Sequence, residues 1–181
     1  MRKGAFLLIL SLSLSLILSS TCIGASNLLS CRGFEEWIED SPLPLGWYLD
    51  FCVGSSYKFD QDIAYEGAYS LKLTSGGFPD DLVQLSARPA REEWLEGGTV
   101  TAEVRYRSEY LAGQAWLALE YVDERGMIVM EQKMLKDSSS WKSATVSFYV
   151  PSGVDDLRLV LGMGPAQGRI WFDDVKMIMN N

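Results

Sequence analysis

Beyond residue 26, the chain consists of short runs in which apolar and polar residues alternate, and no long amphipathic helical pattern interrupts them. In "TVTAEVRYR" (99–107), Val100, Ala102, Val104 and Tyr106 share one face, and Thr101, Glu103, Arg105 and Arg107 share the other. "AWLALEYV" (115–122) sets Leu117, Leu119 and Tyr121 against Trp116, Ala118 and Glu120. "ATVSFYV" (144–150) groups Val146, Phe148 and Val150, and "LRLVL" (157–161) groups Leu157, Leu159 and Leu161. A period of two is that of a half-buried antiparallel strand, because successive side chains leave opposite faces of the pleat. Turn clusters separate the runs: Gly76-Gly77, Gly97-Gly98, Asp123-Glu124-Arg125-Gly126, Pro151-Ser152-Gly153 and "GMGPAQG" (162–168). About ten strands at this spacing predict an all-β, two-sheet antiparallel β-sandwich of jelly-roll type.

The last run, "GRIWFDDVKM" (168–177), breaks the rule. Ile170 and Phe172 have one parity, and Val175, Met177 and Met179 have the other. If all five face the core, the strand changes phase at Asp173-Asp174, and a β-bulge does that. The bulge would aim a carboxylate at the sheet edge, where a cation can meet it. Two uncompensated carboxylates in an apolar strand are otherwise costly.

The first 25 residues read as a secretory signal: Arg2 and Lys3, then an apolar stretch from Ala5 to Leu18, then small residues up to Ala25. A membrane anchor is the alternative, although the run is short and interrupted by serines. A lipid-modified Cys22 fits poorly, because Thr21 directly before it is larger than such signals prefer. Cleavage after Ala25 leaves residues 26–181 as one domain with no stable membrane span. Removing two cations moves the net charge from −8 to −10. So acidic a chain does not bind nucleic acid non-specifically. Cys31 and Cys52 remain. In an exported protein such a pair suggests a disulfide worth roughly 3 kcal/mol in the chain-entropy model, the alternative being two buried thiols.

Three stretches in order, "NLLSCRGFEEW" (27–37), "AYEGAYSLKL" (64–73) and "IWFDDVKM" (170–177), resemble the galactose-binding-like jelly rolls, especially the carbohydrate-binding modules of xylanases and glucanases. Gly46-Trp47 and "SSSWKSATVSFYVP" (138–151) extend the resemblance over nearly the whole mature chain. It implies a structural calcium joining the first strand, the Glu-Gly-x-x-Ser turn and the last strand. The matching positions are Glu35, Glu66, a backbone carbonyl near Tyr69, and Asp173 or Asp174. Calcium takes six to eight hard oxygens, which suits this set. Solvated acids, or pairs with Lys72 or Lys176, are the alternative. Trp47 and Trp141 match framework positions, and Trp37 reads as packing.

Sugar binding requires an aromatic ring to stack on a pyranose, flanked by polar groups for its hydroxyls. Trp116 lies on the polar face of its strand with Glu120. If 99–107 and 115–122 pair as a hairpin, Glu103, Arg105 and Arg107 join them, Arg158 extends the patch, and Trp94 and Tyr110 line its rim. The alternative is that Trp116 fills space beneath loops. With no histidine in the chain, Ser-His-Asp and Cys-His catalysis and His-based zinc sites are excluded. There is no Gly-x-Ser-x-Gly elbow and no phosphate-binding loop, and "GMGPAQG" reads as a turn between strands. The leading expectation is a secreted, non-catalytic module for a polysaccharide or glycan, acting alone or docked on a partner enzyme. The second is a structural or adhesive envelope sandwich that binds a protein. The third is a small hydrolase or lyase using paired carboxylates.

Overall fold

The computed structural model describes residues 27–90 and 93–180. The expected signal segment, 1–25, lies outside them. Among the described residues no helix is long and apolar enough to cross a membrane. The described residues form eight strands in order: β1 (Trp47–Val53), β2 (Ser55–Asp60), β3 (Ser70–Gly76), β4 (Leu82–Ala87), β5 (Gly98–Val122), β6 (Ile128–Met134), β7 (Lys142–Val150) and β8 (Asp155–Asn180), with one 3-10 turn at Glu93–Glu96.

Strands β5 and β8, of 25 and 26 residues, are each long enough to hold two of the expected strands, and they account for the expected ten. The runs 99–107 and 115–122 are two halves of β5, and 157–161 and 170–177 are two halves of β8. The pairing of β5 with β8 continues around a corner, through Ala112↔Gln167 and Gly113↔Ala166. "GMGPAQG" is therefore not a turn between strands. Its glycines let one ribbon bend, and the register shifts at Glu109/Ala112 and Gly113/Ala115 take up the curvature.

The bent ribbon divides the pairing into two layers. In the first, β4 pairs with 159–163 of β8, which pairs with the second half of β5; β1 and β6 form the edges. In the second, β3 pairs with 167–172 of β8, which pairs with the first half of β5; β2 and β7 form the edges. Every pairing is antiparallel. Leu85, Leu117, Leu119, Leu159 and Leu161 of the first layer meet Leu71, Leu73, Val100, Ile170 and Phe172 of the second in one buried cluster. This is the β-sandwich that the period-two pattern predicts.

The N-terminal segment does not form a long strand. It lies along the end of β8 through an isolated bridge, Asn27↔Ile178, and through hydrogen bonds from Leu28 N to Met177 O (2.7 Å) and from Val175 N to Arg32 O (2.7 Å). Phe34 anchors it from the core, 4.8 Å from the Trp47 ring and 5.7 Å from Phe59. Trp47 is buried, and Trp37 packs edge-on against Phe59 at 5.0 Å.

The expected disulfide is not formed: Cys31 and Cys52 are both free. Cys31 is buried in the segment drawn onto β8, whereas Cys52 is exposed on β1, its thiol 3.4 Å from the carbonyl of Ser55. The packing of Phe34 fixes the first and the outward pleat of β1 fixes the second.

Candidate functional site

The bulge at the end of β8 is present. Ile170, Phe172, Val175, Met177 and Met179 all join the core, and the register slips so that Arg105 faces Asp173 while Glu103 faces Lys176. Asp174 takes the slack with φ of 43°. Asp173 is left fully buried. Its Oδ2 accepts hydrogen bonds from Tyr65 N (2.7 Å) and Glu66 N (3.1 Å), and its Oδ1 accepts one from Asp174 N (2.7 Å). Glu35 Oε1 accepts from Ala68 N (3.0 Å) and Tyr69 N (2.9 Å). Two carboxylates from the chain ends thus hold the 65–69 loop. Gly67 is required there, because its φ is +69° and a Cβ would collide with the Glu35 carboxylate. Burial pushes the Asp173 carboxyl up from its ordinary range. The three N–H donors oppose that shift and the charge of Glu35 adds to it.

Glu35, Glu66, Asp173 and Asp174 line one cleft of about 450 Å³. Tyr69 enters through its N–H to Glu35, and Asp174 also pairs with Lys176 Nζ at 2.9 Å. Among the described residues no three Asp, Glu, His or Cys side chains converge as a ready-made metal cluster. A cation in the cleft would have to draw on Asp173, Glu35 and main-chain carbonyls. That donor chemistry, hard oxygens with two carboxylates, fits calcium rather than a softer metal.

The outer face of the first layer carries a different arrangement. Trp116 is paired across strands with Gly162, and its indole lies on the backbone there. A Cβ at Gly162 would collide with the ring, and one at Gly164 would sit 3.3 Å from it. Glycine at these positions creates a slot for the ring. Next along the strands, Glu120 forms an ion pair with Arg158 Nε. Arg158 Nη1 is 3.8 Å from Asp50, which also accepts from Ser86 Oγ (3.0 Å) and Gln84 Nε2 (3.2 Å). Burial pushes the Glu120 carboxyl up, and Arg158 opposes that. Tyr48 is exposed at the β1 edge, under the Arg88 guanidinium at 4.9 Å.

The expected single patch is divided. The two halves of β5 do not pair with each other as a hairpin; both pair with β8, in different layers. Trp116, Glu120 and Arg158 stay together. Glu103, Arg105 and Arg107 lie on the outer face of the second layer, across the core. There Arg105 stacks over Tyr65 at 5.1 Å, Arg107 lies 5.6 Å from the Trp171 ring, and Glu103 faces Lys176 and Thr145. Trp94, in the 3-10 turn, packs against the core cluster. Trp141 is half-buried, edge-on to Tyr65 at 5.7 Å. Asp50, Gln84 and Ser86 were not anticipated beside Arg158. The alternation of "LVQLSA" (82–87) places Gln84 and Ser86 outward, but a bulge between Leu49 and Phe51 shifts β1 and hides Asp50.

No protein-family model matches the chain, and no curated protein matches it. Solved structures do. The CBM22-1 xylan-binding domain from Paenibacillus barcinonensis Xyn10C superposes with a TM-score of 0.59 at 17% identity, covering 86% of this chain and 95% of that one. TmCBM61, solved in complex with β-1,4-galactotriose, gives 0.54 at 16% identity, covering 86% and 100%. A family 16 carbohydrate-binding module gives 0.55 at 16% identity, covering 69% and 86%. The chain shares the antiparallel β-sandwich fold of these solved structures.

Proposed function

We propose that this protein is an exported, non-catalytic glycan-binding module that takes a polysaccharide across the outer face of the first layer. The observation that carries the reading is Trp116 seated against Gly162 and Gly164, beside the linked polar groups Gln84, Asp50, Arg158 and Glu120. A ring seated on backbone is pre-ordered, so stacking a sugar on it costs little side-chain entropy. Hydrogen bonds from the sugar hydroxyls then go to groups already held in place. The carboxylates of this face, Glu120, Asp50 and Asp156, are all engaged with Arg158, and Asp156 also with Arg88, which suits binding better than acid–base turnover. The names of the structural neighbours point the same way.

Calcium is the ion proposed for the acidic cleft. Bound there, it would supply positive charge that Asp173 and Glu35 otherwise lack and would tie both chain ends to the 65–69 loop. It has no part in contacting sugar.

A protein partner is the second reading. It is favoured by the apolar side chains exposed along the edge strands, Phe51 and Val53 on β1 and Ile128, Met130 and Met134 on β6. Affinity electrophoresis against soluble polysaccharides separates the two. Retardation by one neutral polysaccharide class, lost on Trp116→Ala in a folded variant, is the expected result. Retardation that survives the substitution would remove Trp116 from the site. The absence of any retardation, together with self-association, would favour the protein partner.

A further inference from the structure

The outer face of the second layer differs in charge from the rest of this acidic chain. One crosswise row runs Lys58, Lys72, Trp171, Arg107, and the next runs Thr74, Arg169, Glu109. Four cations here meet two carboxylates, Glu109 and the buried Asp60, in a chain of net charge −8. The Trp171 ring is fully buried between Lys72, at 5.0 Å, and Arg107, at 5.6 Å, and its Nε1 donates to Asp60 Oδ2 at 2.9 Å. The two carboxylates do not saturate the cations. Lys72 Nζ is 3.6 Å from Asp60 and Arg169 Nε is 3.6 Å from Glu109, both beyond hydrogen-bond length.

Lys72 and Arg169 line a groove of about 490 Å³ together with Thr74, Gln167 and Tyr110. Tyr110 is 81% exposed, which is unusual for so large an apolar ring. The backbone fixes it there. Its φ is +58°, strained for a residue with a Cβ. Gly168 opposite has φ of +116° and no room for a Cβ beside the Tyr110 carbonyl. Asp137 Oδ1 accepts from Ser108 Oγ (2.8 Å) and Leu111 N (3.1 Å), clamping the chain on both sides of the tyrosine. The nearby Asp81 is turned to the N–H groups of Gly76, Gly77 and Phe78 and does not face the groove.

We infer that this groove is a second binding site, distinct from the Trp116 face, for a carboxylate-bearing sugar, a uronic acid residue of an acidic glycan. Tyr110 stacks on the sugar ring. The Arg169 guanidinium takes the carboxylate through its fork, with the Lys72 ammonium beside it. Thr74 and Gln167 offer hydroxyl partners. The net negative charge of the molecule repels an extended polyanion at long range, so recognition is of one carboxylate at contact distance.

The test is calorimetric titration of the purified protein with galacturonic acid trimer and, separately, with neutral β-1,4-galactotriose. The expected result is measurable binding of the acidic trimer, weakened roughly tenfold or more by Arg169→Gln, as loss of a charge-assisted pair implies. Tyr110→Gly should weaken it severalfold without lowering the melting temperature, because glycine relieves the positive φ. Trp116→Ala should leave it unchanged. The inference is overturned if the acidic trimer does not bind, if Arg169→Gln has no effect, or if Trp116→Ala abolishes binding, which would put the uronate on the first layer. Equal dependence on Arg169 for the neutral trimer would overturn the carboxylate assignment.

Discussion

Gly162 makes the Trp116 platform, and a single methyl group tests that. Gly162→Ala should displace the indole, destabilise the fold by about 1–3 kcal/mol as over-packing does, and weaken glycan binding in the fraction that remains folded. Unchanged affinity would show that the ring's seat on the backbone is irrelevant to the ligand. Asp81 carries a pH prediction. The hydrogen bond from Ser75 Oγ at 2.8 Å, with those from the N–H groups of Phe78, Gly77 and Gly76, outweighs the opposing effect of burial and holds its carboxyl below the ordinary 3.8. A carboxyl depressed in the folded state contributes stability in full above its unfolded pKa and loses it as pH falls through the folded one. The melting-temperature gap between the wild type and Asp81→Asn should therefore be wide above pH about 5 and should close below about 3.8. A gap that stays constant down to pH about 2 would contradict it. Neither contact is readable from spacing: Gly162 reads as a turn residue, and Asp81 as one more surface acid among 24.

The elements were largely legible, because alternation assigns both the strand and its inward face. Val100, Ala102, Val104, Leu117, Leu119, Leu159 and Leu161 all face inward as their parity requires. The bulge at Asp173-Asp174 was legible for the same reason: five apolar residues of two parities cannot share a face without a phase change. The bend in β5 and β8 was not legible, since a glycine-rich stretch that turns and one that curves look alike without their partner strand. At this scale the 65–69 loop links the N-terminal segment to β8 through Glu35 and Asp173. If calcium occupies their cleft, saturation at 100 times its dissociation constant should stabilise the fold by roughly 2.7 kcal/mol, a shift of several degrees in melting temperature. Chelator should reverse the shift and Glu35→Gln should blunt it. Melts that are identical with calcium and with chelator would remove the ion from the cleft.

At the scale of the molecule, a ribbon of two long strands crosses between layers and sends alternate stretches of one polar face to opposite sides of the sandwich. Trp116 and Arg107 both point outward from β5, on opposite parities because the register shifts between Glu109 and Ala115 change the strand's phase, and one lies on the first layer and the other on the second. Two functions are proposed for the two sides, a neutral sugar at Trp116 and a carboxylate at Arg169, and they should be separable by substitution. A double variant, Trp116→Ala with Arg169→Gln, should lose both ligands, with the two effects additive within about 0.5 kcal/mol because the sites share no partner. Coupling well beyond that would mean one site and not two. The sequence by itself determined the all-β class, the inward residues and the phase change in the last strand, because these follow from local parity and from the cost of exposing apolar side chains. Only the tertiary structure decided which outward residues are neighbours, that Cys31 and Cys52 stay apart, and that Asp50 stands by Arg158. Those depend on how distant strands register and where the sheet bends, and the pattern within any one strand carries no record of its partner.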